Sequence, residues 1–317
     1  MENVVALRYA MKEKGKDVGP PNLDVCVHRL RTEVNFNVVT LQLDPRMFGY
    51  PCSRGRLYML CVRQCVLDKA GVSHAEFLSI ASGTITKLVG VPAIPIDELI
   101  LEDSHTLVTR DHGRKHRAAE DVSTETPQTR GAWPLKHASA CGDEWWKPSP
   151  FRAANALEQY PGLAELCPRH IDLLEHFGIG LPEKHPCTVD LNPSLGRTRA
   201  VLYNSKAPCL SVGSRLYLGH RARYACGVEH MRLMGFMIDN FDVEILTNFN
   251  SDFLRDLAGN AFDAASYMAA STTMWVTLGE LYLRASGAGA SIPASKEGTI
   301  SLGSLWGAGG GSDSDDE

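Results

Sequence analysis

The chain has 317 residues, of which 44% are hydrophobic and 22% charged, and its formal net charge at pH 7 is −5. This composition is ordinary for a globular protein with a real core, and the length is enough for about two domains. The negative net charge excludes a strongly basic nucleic-acid binder, so any contact with DNA has to come from a local basic surface. No apolar run approaches the length of about 18 residues that a membrane-spanning helix needs, and the first residues lack the charged-then-apolar pattern of a signal segment.

The nine cysteines have no regular spacing. An odd, scattered set in a chain of this size predicts reduced thiols in an intracellular compartment. Cys61 and Cys65 could form a zinc site with His112 and His116, but the segment between the two pairs is too long and too unpatterned for a zinc finger. We therefore expect no metal centre.

The first part of the chain predicts an α/β arrangement. Apolar residues at helical spacing predict a helix over residues 22–31. Residues 38–43 and 57–62 have the alternating, β-rich pattern of strands. A turn rich in Gly and Pro lies between them, at residues 48–56. This order is typical of one edge of a larger mixed sheet.

Residues from about 70 to 205 lose that regularity, and we expect irregular packing there. A basic stretch at residues 110–117 is either a solvated loop or a DNA contact. Tryptophans at 133, 145 and 146 are either core residues or a stacking platform.

Regular patterns return after residue 205. A short strand is predicted around residues 215–218, a helical segment around 228–234 and a long helix from about 262 to 283. Residues 307–317 are glycines, serines and acids apart from one alanine. Such a segment cannot bury apolar surface, so a disordered tail is expected.

Three short segments carry a pattern that is more specific than these elements. Glu2-Asn3-Val4 is the first. The turn at residues 48–56, with Arg54 and Arg56, runs into the second predicted strand. The third is Glu-His-Met-Arg-Leu-Met-Gly-Phe at residues 229–236, which is followed by Leu-Ala-Gly-Asn-Ala-Phe at 257–262.

In this order the segments resemble motifs of the DNA cytosine-5 methyltransferases: Glu-Asn-Val, Gln-x-Arg-x-Arg, Arg-Glu…Leu-x-Gly-Phe and the closing Gly-Asn-Ala. The resemblance covers about residues 1–65 and 205–283. It implies a partial Rossmann-like, S-adenosylmethionine-dependent methyltransferase domain of α/β class with an irregular target-recognition region inserted. The implied division is a partial catalytic domain at 1–70, the recognition region at 71–205, a returning catalytic segment at 206–285 and a tail at 286–317.

The resemblance also implies roles for particular residues. Family enzymes add a cysteine thiolate to carbon 6 of cytosine, which activates carbon 5 toward the methyl group of S-adenosylmethionine. Glu2 would protonate or hydrogen-bond the ring at N3, helped by a raised carboxyl pKa in a desolvated site. Arg54 and Arg56 would stabilise developing charge and anchor the target base, which has to leave the duplex stack.

The closing motif, residues 259–262, is implied to bind the cofactor. We expect it at the start of the long helix, where free backbone N–H groups and small residues allow a polar ligand to approach closely. By resemblance, Asn260 and Phe262 would line the S-adenosylmethionine pocket.

The chain also departs from the family pattern. The glycine-rich cofactor loop, the acidic ribose ligand and the Pro-Cys nucleophile would all precede Glu2 and are absent. Pro51-Cys52 is not a substitute, because it follows the Glu-Asn-Val motif, and Cys52 stands where the family has glutamine. Val228 replaces the arginine expected before Glu229.

We therefore expect an intracellular, nuclear protein that methylates DNA only as part of a longer or split enzyme, with a missing N-terminal half or a complementary chain as its partner. Half a catalytic domain should expose apolar faces and edges of its sheet. A non-catalytic nucleic-acid-binding remnant, an RNA cytosine-5 methyltransferase and chance motif matches remain alternatives. In the simplest interpretation, Glu2 is a solvated residue, Arg54 and Arg56 are ion-pair partners and Gly259-Asn260 is a turn.

Overall fold

The computed structural model describes residues 20–111, 150–153, 155–193, 201–204 and 206–287, together with the backbone of three short strands near the N-terminus. The helices of this part are, in chain order, α1 (Asn22–Thr32), α2 (Gln64–Ala70), α3 (His74–Leu88), α4 (Ile96–Leu99), α5 (Ala156–Gln159), α6 (Pro168–His176), α7 (Gly227–Leu233), α8 (Val243–Thr247), α9 (Ser251–Asn260) and α10 (Ala264–Ala285). The strands are β1 (Glu2–Val4), β2 (Lys12–Glu13), β3 (Lys16–Asp17), β4 (Phe36–Leu43), β5 (Arg56–Arg63), β6 (Cys187–Asp190), β7 (Leu202–Tyr203), β8 (Leu216–Leu218) and β9 (Arg223–Tyr224). Short 3-10 helices cover Pro45–Phe48, Pro150–Arg152, Pro161–Glu165, Gly219–Arg221 and Ile238–Asn240.

The chain divides into two compact units, each built from separated segments. The first comprises Met1–Leu41, Leu57–Val89 and Ala269–Glu317, and the second Gln42–Arg56 and Gly90–Met268. The architecture is mixed α/β, which confirms the predicted fold class at that level. The four-part division proposed from the motifs concerns function rather than packing and stays a prediction.

The first unit is organised around a three-stranded sheet with the order β1-β5-β4. One face of α1 carries Leu23, Cys26, Val27 and Leu30, which pack in one cluster with buried strand residues such as Leu57. The helical spacing that predicted α1 is therefore the spacing of its buried face. The predicted strands 38–43 and 57–62 lie within β4 and β5, and both are confirmed.

Helix α3 shows where the prediction of irregular structure after residue 70 was wrong. Phe77, Ala81 and Ile85 are buried at intervals of four residues. Ser73 and Glu76 form a reciprocal capping box at its start, with Ser73 Oγ accepting from the Glu76 N–H at 3.2 Å. Both are sequence signals of a helix.

The second unit contains an antiparallel sheet with the order β7-β6-β8-β9. Strand β8 is buried throughout and joins two apolar clusters. Tyr217 belongs to one, with Leu173 and Val189, while Leu216 and Leu218 belong to the other, which includes residues of α7 and α9. Alternation along one strand thus supplies both clusters.

The predicted strand at 215–218 and the predicted helices at 228–234 and 262–283 correspond to β8, α7 and α10, and are confirmed with small shifts at their ends. Trp133, Trp145, Trp146 and residues 112–117 lie outside the described residues, as does the proposed tail from residue 288 onward. None of the described helices combines the length and apolar character required to span a bilayer. No disulfide links the described cysteines.

The packing of α7 on α9 predicts a steep cost for any side chain at Gly227. A Cβ there would lie 2.3 Å from the Ser251 carbonyl oxygen and 2.7 Å from the Leu254 Cβ. Gly227→Ala should lower the free energy of unfolding by about 1–3 kcal/mol through overpacking. Gly279→Ala is the matched control, because a Cβ there meets nothing within 4 Å, and it should be neutral or stabilising by up to about 1 kcal/mol. Urea unfolding followed by circular dichroism measures both, and equal stabilities would contradict the packing.

Candidate functional site

The turn that carries Arg54 and Arg56 is held by local hydrogen bonds and by glycine. Asp44 caps the 3-10 helix Pro45–Phe48 by accepting from the Arg46 N–H at 3.1 Å. Gly49 then has φ +85°, and a Cβ there would lie 2.5 Å from the Pro92 carbonyl oxygen. Both features require glycine, so the sequence fixes the direction in which the chain leaves this turn.

Arg54 lies in the interior, with 7% of its surface exposed. Its guanidinium donates to the Leu210 carbonyl oxygen and, at 2.9 Å, to the Gly259 carbonyl oxygen. Arg54 therefore ties the turn to the loop at Leu210 and to the end of α9. These are the contacts of a residue that organises the backbone.

Arg56 has different surroundings. It is half-buried at the start of β5 and donates to the Gly55 carbonyl oxygen at 3.0 Å. The two arginines of the motif are thus unequal, and Arg56 has the more accessible side chain.

The three motif segments of the second unit meet in space. Besides the bond from Arg54 to Gly259, the Ala264 N–H donates to the Met234 carbonyl oxygen at 2.8 Å. A Cβ on Gly235 would lie 3.3 Å from the ring of Tyr50. Segments far apart in the chain are therefore neighbours.

The expected position of the closing motif needs a correction. Gly259 and Asn260 end α9 rather than beginning α10, because the buried apolar face of α9, with Leu254 and Ala258, extends the helix that far. Gly259 presents a carbonyl oxygen to Arg54, so free N–H groups do not face a ligand at this residue. Asn260 is exposed, and Phe262 is 52% exposed.

Phe262 stacks on Tyr267, with ring centroids 5.7 Å apart and an interplanar angle of 13°. Asp263 lies between α9 and α10 and caps the start of α10, because its carboxylate accepts from the Ser266 N–H at 2.6 Å. Its other carboxylate oxygen has no hydrogen-bond partner among the described residues. Burial raises the pKa of Asp263 above that of an ordinary aspartate.

Cys52 belongs to the turn at residues 48–56 and is fully buried. Burial, reinforced by the neighbouring Cys209 and Asp263, raises the pKa of its thiol well above the ordinary value. A thiol in these surroundings stays protonated and is a poor nucleophile. These surroundings give no support to Cys52 as a nucleophile.

Glu229 is fully buried and paired with Arg223. The guanidinium donates to both carboxylate oxygens at 2.9 Å, in a fork-to-fork arrangement. Glu229 also accepts from the backbone N–H groups of Leu101 and Cys226, at 2.9 and 2.7 Å. The resemblance led us to expect an arginine at position 228, but the partner of this carboxylate is Arg223, six residues before Glu229.

The remaining donors of Arg223 are also satisfied. They reach Asp103 at 2.6 Å, the Leu101 carbonyl oxygen at 2.9 Å and the Tyr224 carbonyl oxygen at 3.0 Å. Burial alone would lower the pKa of Arg223, but the Glu229 carboxylate and these hydrogen bonds outweigh it and raise the pKa. Sequence reasoning missed Arg223 and Asp103, since no local pattern joins them to Glu229.

Other predicted residues are only partly described. Glu2 lies in β1, next to β5, but its side chain is outside the described part. Of the basic stretch 110–117, only Arg110 and Asp111 are described. Within the described ranges no group of three or more His, Cys, Asp or Glu side chains could hold a metal ion.

The chain matches no model of a known protein family, and no curated protein matches it.

The buried pair predicts a large effect for Glu229→Gln. The substitution removes the buried counter-charge of Arg223 and leaves only the partly exposed Asp103 carboxylate beside it, which should lower the free energy of unfolding by about 3–5 kcal/mol. Glu102→Gln is the matched control. It removes a carboxylate that is 77% exposed and lies 3.3 Å from Arg221, and it should cost less than about 1 kcal/mol. Chemical unfolding distinguishes the two, and a small effect at Glu229 would contradict a coupled pair.

Asp263 predicts a pH dependence of stability. Its folded-state pKa is raised, so the folded protein holds this proton when the unfolded chain has lost it. Stability should therefore fall as pH rises from the ordinary aspartate range through the raised pKa. Asp263→Asn keeps the capping oxygen and should remove this decline. Thermal unfolding across the acidic range measures it, with the exposed cap variant Asp242→Asn as control; an unchanged profile in Asp263→Asn would refute the assignment.

Proposed function

We propose that the chain is the C-terminal part of a DNA cytosine-5 methyltransferase with a partial Rossmann-like domain, and that it acts only with a missing N-terminal half or a complementary chain. The convergence of the motif segments carries the proposal. Arg54 of the second motif donates to the Gly259 carbonyl oxygen of the closing motif at 2.9 Å. Tyr50 lies against Gly235 of the third segment. Residues that serve one site are expected to meet in this way.

Within this function the residues have distinct roles. Arg54 holds the turn against the closing motif and is a positioning residue. Arg56, being more accessible, interacts with the extruded cytosine or its phosphate. Glu2 supplies the proton or hydrogen bond at N3 of the ring, as the resemblance implies.

The residues at the closing motif suit one end of S-adenosylmethionine. Phe262 and Tyr267 offer partly exposed, stacked rings for an adenine, and the exposed Asn260 amide can donate to or accept from its polar edge. When bound, the cofactor supplies the electrophilic methyl group. The ribose ligand and the glycine-rich loop belong to the complementary segment.

The exposed face of α10 supports the need for such a segment. Met268, Trp275 and Tyr282 follow one another at seven-residue intervals and are 60%, 73% and 73% exposed. Residues at this spacing share one side of a helix. Large exposed apolar surfaces of this kind mark interaction sites.

One observation favours the alternative of a non-catalytic binding remnant for the chain by itself. Cys52, the cysteine of the second motif, is buried with a raised thiol pKa. The nucleophile therefore has to come from elsewhere. Methylation of cytosine in RNA would use the same residues. An assay that offers RNA in place of DNA distinguishes the two activities.

The first experiment is to sequence the 5′ end of the natural transcript. An in-frame upstream segment that encodes Pro-Cys and a glycine-rich loop is expected. A transcript that begins at Met1, with no complementary chain co-purifying with the protein, would refute the catalytic proposal and leave the binding remnant.

Methyl transfer by the complete enzyme tests the residues. With tritiated S-adenosylmethionine and duplex DNA, Arg56→Ala should lower kcat/KM by about 100-fold, as expected when a group that stabilises developing charge is removed. Arg46→Ala is the control, since Arg46 is exposed and bonded to Asp44, and it should retain activity. Phe262→Ala should raise KM for the cofactor while kcat is kept. Transfer to RNA but not to DNA would reassign the substrate.

A further inference from the structure

Two cysteines of the second unit lie where the turn at residues 48–56 meets the segment 206–210. Cys52 is fully buried, and Cys209 is exposed. Both are free thiols, and neither has a role in the methyl transfer proposed above. The pair combines a sulfur that small reagents can reach with one that the fold protects from them.

Backbone hydrogen bonds join the two segments just before Cys209. Cys52 is opposite Ala207 in a parallel β-bridge. The Ala207 N–H donates to the Pro51 carbonyl oxygen at 2.9 Å, and the Ser53 N–H donates to the Ala207 carbonyl oxygen at 3.4 Å. Cys209 follows two residues after this bridge.

The residue after Cys209 is fixed as well. The Leu210 carbonyl oxygen accepts from the Arg54 guanidinium, and Leu210 is fully buried. The backbone on both sides of Cys209 is thus bonded to the turn that contains Cys52, so the two sulfurs are neighbours. The pKa of Cys52 agrees with this arrangement, because Cys209 is, after burial, the largest cause of its rise.

The geometry leaves a disulfide within reach. The Cα atoms of bonded cysteines are usually about 4.4–6.8 Å apart. Paired strands lie about 4.8 Å from each other, and Cys209 is displaced from the bridge by only two residues. Residues 208–210 belong to no helix or strand, and the exposed Cys209 side chain can change rotamer. A small adjustment of this segment therefore brings the two sulfurs together.

We propose that Cys52 and Cys209 form an intramolecular disulfide when the protein meets a peroxide, and that this bond is a redox switch on the turn that carries Arg54 and Arg56. Under reducing conditions only non-covalent contacts hold the turn against the segment 206–210. Oxidation adds a covalent link between segments that are distant in the chain. The inference is independent of methyl transfer.

The oxidation has two steps. The Cys209 thiolate attacks one oxygen of hydrogen peroxide and the O–O bond breaks, which gives a Cys209 sulfenic acid and a hydroxide that takes up a proton to become water. The Cys52 sulfur then attacks the Cys209 sulfur and the S–O bond breaks, so that the Cys52 proton leaves with the hydroxyl group as a second water. The two sulfurs together lose two electrons, and these reduce the peroxide.

The second step depends on the charges that face Cys52. Its thiol reacts slowly in the reduced protein, because burial and the nearby charges of Cys209, Asp263 and Asp44 raise its pKa. Conversion of Cys209 to a neutral sulfenic acid removes the strongest of these charge effects. The Arg54 guanidinium acts in the opposite direction and favours the thiolate. We therefore expect the disulfide to form after the sulfenic acid, at a rate that increases with pH.

Peptide mapping by mass spectrometry tests the proposal on the full chain. The reduced protein is treated with hydrogen peroxide, the remaining thiols are alkylated, and the protein is digested without a reductant. The expected product is a pair of peptides joined through Cys52 and Cys209, with a mass lower than their sum by two hydrogen atoms. Dithiothreitol should separate the two peptides.

Variants distinguish the two thiols. Cys209→Ser should abolish the link and leave Cys52 unmodified, because Cys52 is buried. Cys52→Ala should also abolish it, while dimedone traps the sulfenic acid of Cys209. Cys65→Ser is the matched control, since Cys65 is exposed but belongs to α2 in the first unit, and the link should form as in the wild type. Circular dichroism melting verifies that each variant is folded.

Unfolding in urea gives a second readout. The oxidised wild type should unfold at a higher urea concentration than the reduced protein, because a link between distant residues restricts the unfolded chain. Dithiothreitol should reverse this shift, and Cys209→Ser should not show it. An oxidised wild type that carries the link but unfolds at the same urea concentration would overturn the switch.

Three results of the mapping would overturn the disulfide. They are a wild-type Cys209 that ends as a sulfenic or sulfinic acid while Cys52 keeps its thiol, a link from Cys209 to a different cysteine, and a link between two chains. The wild type alone gives these results, even if a variant does not fold. None of them depends on catalytic activity, so the methyltransferase proposal is judged separately.

Discussion

Arg223 and Glu229 form a buried ion pair on which the local structure of the second unit depends. Every N–H of the guanidinium has an acceptor, and both carboxylate oxygens accept two hydrogen bonds each. The pair links the loop at Leu101 and Asp103 to β9 and to the start of α7. A buried pair is tolerated only when it is satisfied to this degree, and loss of one partner leaves a desolvated charge. The geometry of α7 is therefore fixed by electrostatics as well as by packing.

A second buried arginine has a comparable function near the motifs. Arg54 bonds to carbonyl oxygens from two distant segments, and Gly259 lets these segments approach, since a Cβ there would lie 2.4 Å from the Val212 nitrogen. Arg54, to which the resemblance assigned a chemical role, thus holds the backbone of distant segments together. Arg56, which the same pattern includes, is left more accessible.

Local periodicity predicted much of the secondary structure. The spacing of Leu23, Val27 and Leu30 located α1, and alternation located β4 and β5, because one face of each element is buried. The same reasoning overlooked α3, although its capping box and the spacing of Phe77, Ala81 and Ile85 were present. It also placed Gly259-Asn260 at the wrong helix end, since glycine and asparagine are common at both ends of helices.

The sequence by itself determined the α/β class and most element positions, because these depend on short-range spacing and on residue type. Only the tertiary structure decided which residues meet, such as Arg54 with Gly259 and Arg223 with Glu229 and Asp103. It also decided which apolar side chains stay exposed instead of entering the core. Such contacts join positions with no regular separation in the chain. Burial, which sets the pKa of Cys52 and Asp263, is likewise a property of the folded arrangement, in which distant segments exclude water from a side chain.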